Sequence, residues 1–352
     1  ASKLAYYHSF ASMANEASIR LADRILRLVP DNMSKVFFGN SGSDANDTNV
    51  KLVWYFNNLR GKPEKKKIIG RHRGYHGVTV AAASMTGIPM VHKAFDIPLP
   101  QMRHTLMPHY YANAEPGMSE LDFSKHCAAK LEEMIIAEGP DTVAAFIAEP
   151  VMGAGGVVPP PEGYFQQVQA VLSKYDILMI ADEVITGFGR TGNWFASETY
   201  DIKPDIMTIA KGLTSGYIPM SASIISEDIW QVLMNGTPEM GAFAHGYTYS
   251  AHPIAAAAAM ANLDIMEREN LPANAARIGT YFQSKLRKEI ADHPLVGDVR
   301  GVALLGGVEL VADKVKKTEL DTSLKAAPTL AKYCVEEGLI SRALMQMNAL
   351  SF

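Results

Sequence analysis

The stretch Ile177–Leu213, ILMIADEVITGFGRTGNWFASETYDIKPDIMTIAKGL, decides the fold. An apolar run from Ile177 to Ala181 stops at the acidic pair Asp182 and Glu183, and a second, from Ile206 to Ala210, stops at Lys211. Uninterrupted apolar runs of this length are what strands of a parallel sheet buried on both faces require. In such sheets ligands bind beyond the carboxyl ends of the strands, so Asp182 and Lys211 are expected to face one crevice. A carboxylate and an amine meeting there suit a salt bridge. They equally suit pyridoxal phosphate, whose aldehyde needs an amine for a Schiff base and whose ring nitrogen needs a carboxylate to stay protonated.

Working outward, the same alternation continues on both sides. Apolar residues at helical spacing from Asn15 to Val29 precede a strand at Lys35–Phe38, and a Gly/Ser turn, Gly39 to Ser43, leads into a helix opened by Asp44 and running to about Leu59. A turn of that kind offers free N–H groups and the positive helix end to an anion, although it lacks the lysine of a nucleotide-binding loop. Strands are expected at Lys67–Gly70, Val143–Ala148 and Met220–Ile225, with helices at Ser119–Glu138, Gly163–Tyr175 and Glu227–Leu233. Strands alternating with helices from about residue 35 to 225 predict an α/β large domain, its mostly parallel sheet covered by helices on both faces.

Beyond residue 270 the pattern changes. A helix at Asn274–Ala291, an alternating segment at Val299–Leu310, a helix at Ala326–Glu337 and a strand at Leu339–Arg342 read as a smaller α+β domain. The expected division is 1–14 as the remnant of an N-terminal segment, 15–269 as the large domain and 270–352 as a truncated small domain. The start at Ala1 and the stop at Phe352 inside a strand-like stretch suggest a piece of a longer polypeptide.

Composition narrows the function. An apolar fraction of 48% with 20% charged residues describes an ordinary globular chain of 352 residues. A net charge of −4 offers no basic stripe for nucleic acid. No apolar run reaches the roughly 18 residues of a membrane span. Two distant cysteines, Cys127 and Cys334, support neither a disulfide framework nor a thiolate metal site, and cytoplasmic location follows as the default. His72 and His76 stand four apart, but Gly74 breaks the helix that paired metal ligands need, so no metal is expected. Tyr75 between them is better suited to stacking on an aromatic ligand.

Strand-end loops thus carry Gly42-Ser43, Tyr75, Glu149, Asp182 and Lys211. The segments FFGNSGSDAND, RGYHG, AFIAEPVMGAGG, MIADEVITGFGRTG, IAKGLTSGYIPMSA and HGYTYSAHP, in that order, resemble the class III aminotransferases, pyridoxal phosphate enzymes of fold type I. The resemblance implies that Lys211 is the Schiff-base lysine and Asp182 the partner of the ring nitrogen. It implies that Val184 and Tyr75 bracket the ring, that Gly42 and Ser43 hold the phosphate, and that Glu149 supports the cofactor's surroundings. Thr248 matches a threonine that reaches the neighbouring subunit's phosphate, which implies a homodimer with shared sites and admits a tetramer. Ala154 stands where 4-aminobutyrate and ornithine aminotransferases carry a glutamate, and Ala251 stands where glycine is usual; the former points to the ω-amino acid or amine:pyruvate subgroup. There Arg342 matches the mobile arginine that holds the acceptor's carboxylate, with two parallel hydrogen bonds as its chemical advantage. Phe10 matches an aromatic wall of the substrate pocket. The implied activity moves an amino group from an ω-amino acid or primary amine to a keto acid such as pyruvate, through pyridoxamine phosphate. An aminomutase or decarboxylating enzyme on the same scaffold, and a non-catalytic homologue, are the alternatives.

Overall fold

A computed structural model of the chain describes all residues except 1, 3, 5, 6, 10–12, 237–239 and 345–346. Seven strands form the first sheet: β1 (Met33–Gly39), β2 (Lys67–Arg71), β3 (Met102–Thr105), β4 (Val143–Ala148), β5 (Leu178–Asp182), β6 (Ile206–Ile209) and β7 (Ser221–Ser226). Their order is β1-β7-β6-β5-β4-β2-β3. Every residue of β4 and β5 is buried, and all of them except the closing Asp182 are apolar, as strands covered on both faces require.

Six strands run one way and β7 runs against both of its neighbours. The reason is chain length. Between Ile209 and Ser221 there is only a short 3-10 turn, Lys211–Leu213, and no helix, whereas a parallel return needs a crossover of a dozen or more residues. Strand β3 escapes sequence pattern altogether. It is four residues, MRHT, at the sheet's edge, paired among the described residues with β2 alone, and edge strands need no apolar alternation.

Helices cover both faces. On one side α2 (Gly42–Leu59) packs Val50, Val53 and Phe56 against Ile68, Ala145, Ile147 and Ile180. On the other, α3 (Glu120–Glu138) and α4 (Tyr164–Lys174) bury Phe123, Leu131, Phe165 and Val168 on the β2–β5 half. There α1 (Glu16–Leu26) and α5 (Pro253–Arg268) cover the β6–β7 half. The start of α2 lies two residues earlier than the sequence suggests. Ser41 is its cap, accepting from Asp44 N–H at 3.2 Å while the Asp44 carboxylate receives the N–H of Asn40 and Ser41. This places Gly42 and Ser43 in the first helical turn, where N–H groups lack intrahelical acceptors.

The second sheet comes from residues after 295. It contains β8 (Val296–Val302), β9 (Leu305–Asp313), β10 (Thr318–Glu319), β11 (Arg342–Leu344) and β12 (Ala349–Ser351), with β9 at its centre. The alternating segment is a hairpin, β8 to β9. The strand expected at Leu339–Arg342 is β11, which begins at Arg342 instead of ending there. One face of this sheet packs Val308, Leu310 and Ala343 on α6 (Leu271–Ile290) and α7 (Ala326–Glu336). The other packs Leu344 and Ala349 on Val151 and Val157, in the loop after β4. Among the described residues no helix is long and apolar enough to cross a membrane.

Candidate active site

The carboxyl ends of β2, β4, β5 and β6 and the first turn of α2 surround one cavity. It offers about 420 Å³ of space, part of it open to solvent, and is lined by Gly42, Ser43, Tyr75, His76, Gly77, Glu149, Asp182, Val184, Ile185 and Lys211. Every lining residue that the sequence pointed to from strand ends is thereby brought together.

Asp182 closes β5 and is 3% exposed. Its Oδ2 accepts from Asn46 Nδ2 at 2.9 Å and lies 2.8 Å from His76 Nδ1; among the described residues its Oδ1 accepts only from Val184 N–H, at 3.2 Å. Two good bonds on one oxygen and a long one on the other fix the carboxylate and leave Oδ1 with accepting capacity. Glu183, the next residue, turns the other way. It is fully buried and receives Thr186 Oγ1, Ala196 N–H, Ser197 N–H and Ser197 Oγ, which ties down the loop after β5. The period of two along a strand separates these adjacent acids into a site residue and an anchor.

Lys211 directly follows β6 and Ala210, with φ of 34° at its own Cα. Its side chain is exposed into the cavity. Desolvation lowers its pKa from 10.5; the Asp182 carboxylate opposes that shift, while the Arg190 and Arg342 charges add to it. An amine poised this way spends more time unprotonated, as a nucleophile must.

Glu149 is buried at the end of β4 and clamps two loops at once. Its Oε1 accepts from Tyr75 N–H and its Oε2 from Gly153 N–H, both at 2.6 Å. Burial raises its pKa, opposed by His76, Arg71 and the Tyr75 N–H. Opposite, a Cβ on Gly42 would come within 3.0 Å of Val184 Cγ2, so the helix start and Val184 already touch as closely as glycine permits.

Two sequence expectations, Thr248 and Arg342, lie outside this cavity. Thr248 is exposed in the loop before α5, its carbonyl accepting from the Tyr7 hydroxyl, while its neighbour Tyr247 bonds the Asp44 carbonyl of α2. Arg342 is exposed at the start of β11 and makes no ion pair among the described residues, although its charge is felt at Lys211. Phe10 lies outside the described residues. Sequence reasoning missed Asn46, His76, Gly77 and Ile185. In the sequence His76 stands out only as half of a candidate metal pair, whereas its ring serves Asp182. Asn46 has a usable signal, since it lies one turn beyond Gly42-Ser43 on the same helix.

The residues present fit pyridoxal phosphate. Oδ1 of Asp182 has accepting capacity for a ring N–H, the α2 turn has N–H groups for a phosphate, Tyr75 offers a flat face, and Lys211 is an amine of lowered pKa.

Comparison with known proteins agrees with this chemistry. The model of the class III aminotransferase family matches residues 2–352. The diaminobutyrate–2-oxoglutarate transaminase of Halomonas elongata is 53% identical over 99% of this chain and 75% of its own length. A chloroplastic gamma-aminobutyrate transaminase of Solanum lycopersicum is 46% identical over 97% of this chain and 65% of its own. A transaminase solved with L-alanine superposes with a TM-score of 0.96 at 51% identity, covering 100% of this chain and 82% of the other.

Proposed function

The chain belongs to the class III aminotransferases, enzymes that depend on pyridoxal phosphate, and from that premise we propose that it moves the amino group of an ω-amino acid or primary amine to pyruvate. The observation that carries the reading is the convergence of Asp182, Lys211, Tyr75 and the Gly42-Ser43 turn on one cavity. Bound there, the cofactor supplies an aldehyde that takes up amino groups and a ring that draws electrons from the adjacent carbon.

The side chains divide the remaining work. Lys211 Nζ would take the proton from the donor's carbon and pass it to the carbon that the cofactor's aldehyde contributes, a task that its lowered pKa favours. Asp182, oriented by Asn46 and His76, keeps the ring nitrogen protonated. Gly42 and Ser43 hold the phosphate, and Tyr75 and Val184 bracket the ring. Glu149 sets the position of Tyr75 through its backbone. Arg342 binds the acceptor's carboxylate through two parallel bonds. We assign Thr248 to the partner subunit's phosphate, making the working unit a homodimer, and we keep residues 270–352 as a smaller domain. Free Cys127 and Cys334 suit a reducing cytoplasm.

Two features of the relatives support the substrate class. Diaminobutyrate and 4-aminobutyrate, named for two of them, both carry an amino group remote from a carboxylate, and L-alanine is what pyruvate becomes on amination. The name of the Halomonas relative also makes 2-oxoglutarate the rival acceptor. A panel of donors, including β-alanine, putrescine, taurine and 1-phenylethylamine, assayed against both keto acids decides between them. Alanine formation with pyruvate is expected. Glutamate formation without alanine would overturn the acceptor assignment, and turnover of donor with no keto acid consumed would favour an aminomutase or decarboxylating enzyme.

A further inference from the structure

An ionic cluster that the transamination site does not use lies where the second sheet meets the loop after β4. Ligand atoms of His109, Asp298 and Glu309 lie within 4.8 Å of one another. A metal is not what they hold, because a guanidinium already occupies the cation's place. Nη1 of Arg300 donates to Asp298 Oδ2 at 2.9 Å and to Glu309 Oε2 at 2.6 Å. The rest of the same guanidinium reaches out of the sheet. Nε donates to Gly156 O at 3.0 Å and Val157 O at 3.2 Å, and Nη2 donates to Gly156 O at 2.7 Å. Arg300 is 7% exposed, and no other side chain in the described residues bonds these two carbonyls.

The gripped loop is itself bound to the active site. Gly153 N–H donates to Glu149, and a Cβ on Gly153 would come 2.5 Å from Ile185 Cδ1, a lining residue of the cavity. Arg300 therefore connects the second sheet to the cavity wall through five residues of backbone.

The register of the second sheet gives this connection a destination. Arg300 on β8 lies opposite Gly307 on β9, Gly307 lies opposite Ser351 on β12, and Ser351 lies opposite Arg342 on β11. The two arginines end a single cross-strand row. Directly opposed residues of antiparallel strands share a face, so both project to the side where Leu344 and Ala349 pack on Val151 and Val157. Three strand spacings put their backbones roughly 14 Å apart. A row of hydrogen-bonded backbone is stiff across its strands, so fixing one end against the loop fixes where the other end stands.

We propose that Arg300 is a positioning residue for acceptor binding: by gripping Gly156 and Val157 it sets the cross-strand row whose far end presents Arg342 to the cavity. This rests on Arg342 being the carboxylate-binding group. It adds that the placement of Arg342 is determined by a buried residue on another strand.

Propionate, a carboxylate with no keto group, probes Arg342 without turnover, and its binding to the holoenzyme is measured by calorimetry. Arg300→Lys keeps a positive charge for Asp298 and Glu309 but lacks the fork that spans two carbonyls. Propionate affinity should fall about tenfold in that variant, with KM for pyruvate rising in proportion. The single-turnover rate with 1-phenylethylamine, a donor with no carboxylate, should stay within about twofold. In an Arg342→Ala background, Arg300→Lys should add less than about twofold to the loss, because coupled residues are not additive.

Unchanged propionate affinity in Arg300→Lys, with Arg342→Ala weakened, overturns the inference while leaving the Arg342 assignment intact. A tenfold effect that persists in the Arg342→Ala background also overturns it, since Arg300 would then act by another route. Unchanged affinity in Arg342→Ala overturns the Arg342 assignment and the inference with it. If Arg300→Lys does not fold, Asp298→Asn weakens the same grip while keeping its shape. The same comparison then applies, with a loss of about threefold expected and no loss overturning the proposal.

Discussion

Lys211 and Asp182 could be found from the sequence because a strand's end is where an apolar run meets a charge. The partners of Asp182 could not. Asn46 sits within a helix and His76 within a loop, and nothing in their local pattern says that both turn toward the same carboxylate. At this scale the assigned roles give two expectations. Lys211→Ala should lower kcat by about a thousandfold or more, since it removes both the attachment point and the proton carrier. Alanine formation assayed at saturating cofactor tests this, and near-normal turnover would remove Lys211 from the mechanism. In Gly42→Ala the new Cβ would press on Val184 at 3.0 Å, in the turn assigned to the phosphate. Cofactor affinity should fall about tenfold, equivalent to ~1.4 kcal/mol, with kcat recovered when cofactor is in excess; absorbance titration of the apo-protein measures it.

Among the elements, periodicity and punctuation located the helices and buried strands within a few residues. The errors have physical causes. Four-residue β3 is an edge strand under no demand to alternate, and the direction of β7 depends on the length of a connection rather than on its own residues. Ser41 does not stand out in the sequence as the cap of α2, because Asp44, three residues on, has the same preference. Its hydroxyl accepts the Asp44 N–H, so Ser41→Ala should cost ~1 kcal/mol in denaturant unfolding.

A second expectation concerns Asp205, just before β6. Burial raises its carboxyl from 3.8 to about 6, opposed by the Met179 N–H that donates to its Oδ2 at 2.7 Å. Between those values the folded chain keeps a proton that the unfolded chain has released, so this group removes stability as pH rises from about 4 to about 6. Asp205→Asn retains an acceptor for Met179 and cannot titrate. Relative to the parent, the variant should gain roughly 2 kcal/mol between pH 4 and pH 7, allowing for partial exposure. Parallel Tm profiles for the two proteins would rule this out.

For the whole molecule, the change of pattern near residue 270 falls ahead of the second sheet, which is built from residues after 295. The pairing of that sheet was not legible, because β11 and β12 are three residues each and their order around β9 is set by contacts distant in sequence. The proposed homodimer makes a prediction at this scale. Thr248→Val subunits should show reduced activity alone, and Lys211→Ala subunits none. When the two are unfolded and refolded together, half the dimers are hybrids with one intact composite site, and roughly 25% of parental activity should return. No recovery would mean that Thr248 serves its own chain or no site at all.

All ten residues lining the cavity precede position 212, and the second sheet is built wholly from residues after 295. For a protein engineer this amounts to two separable mutational territories. A library confined to β8 through β12 can search for new acceptors, Arg342 among its positions, while the ten lining residues are inherited unaltered. Its failures should then still colour when cofactor is added, so loss of substrate range and loss of cofactor can be sorted by eye before any assay is run.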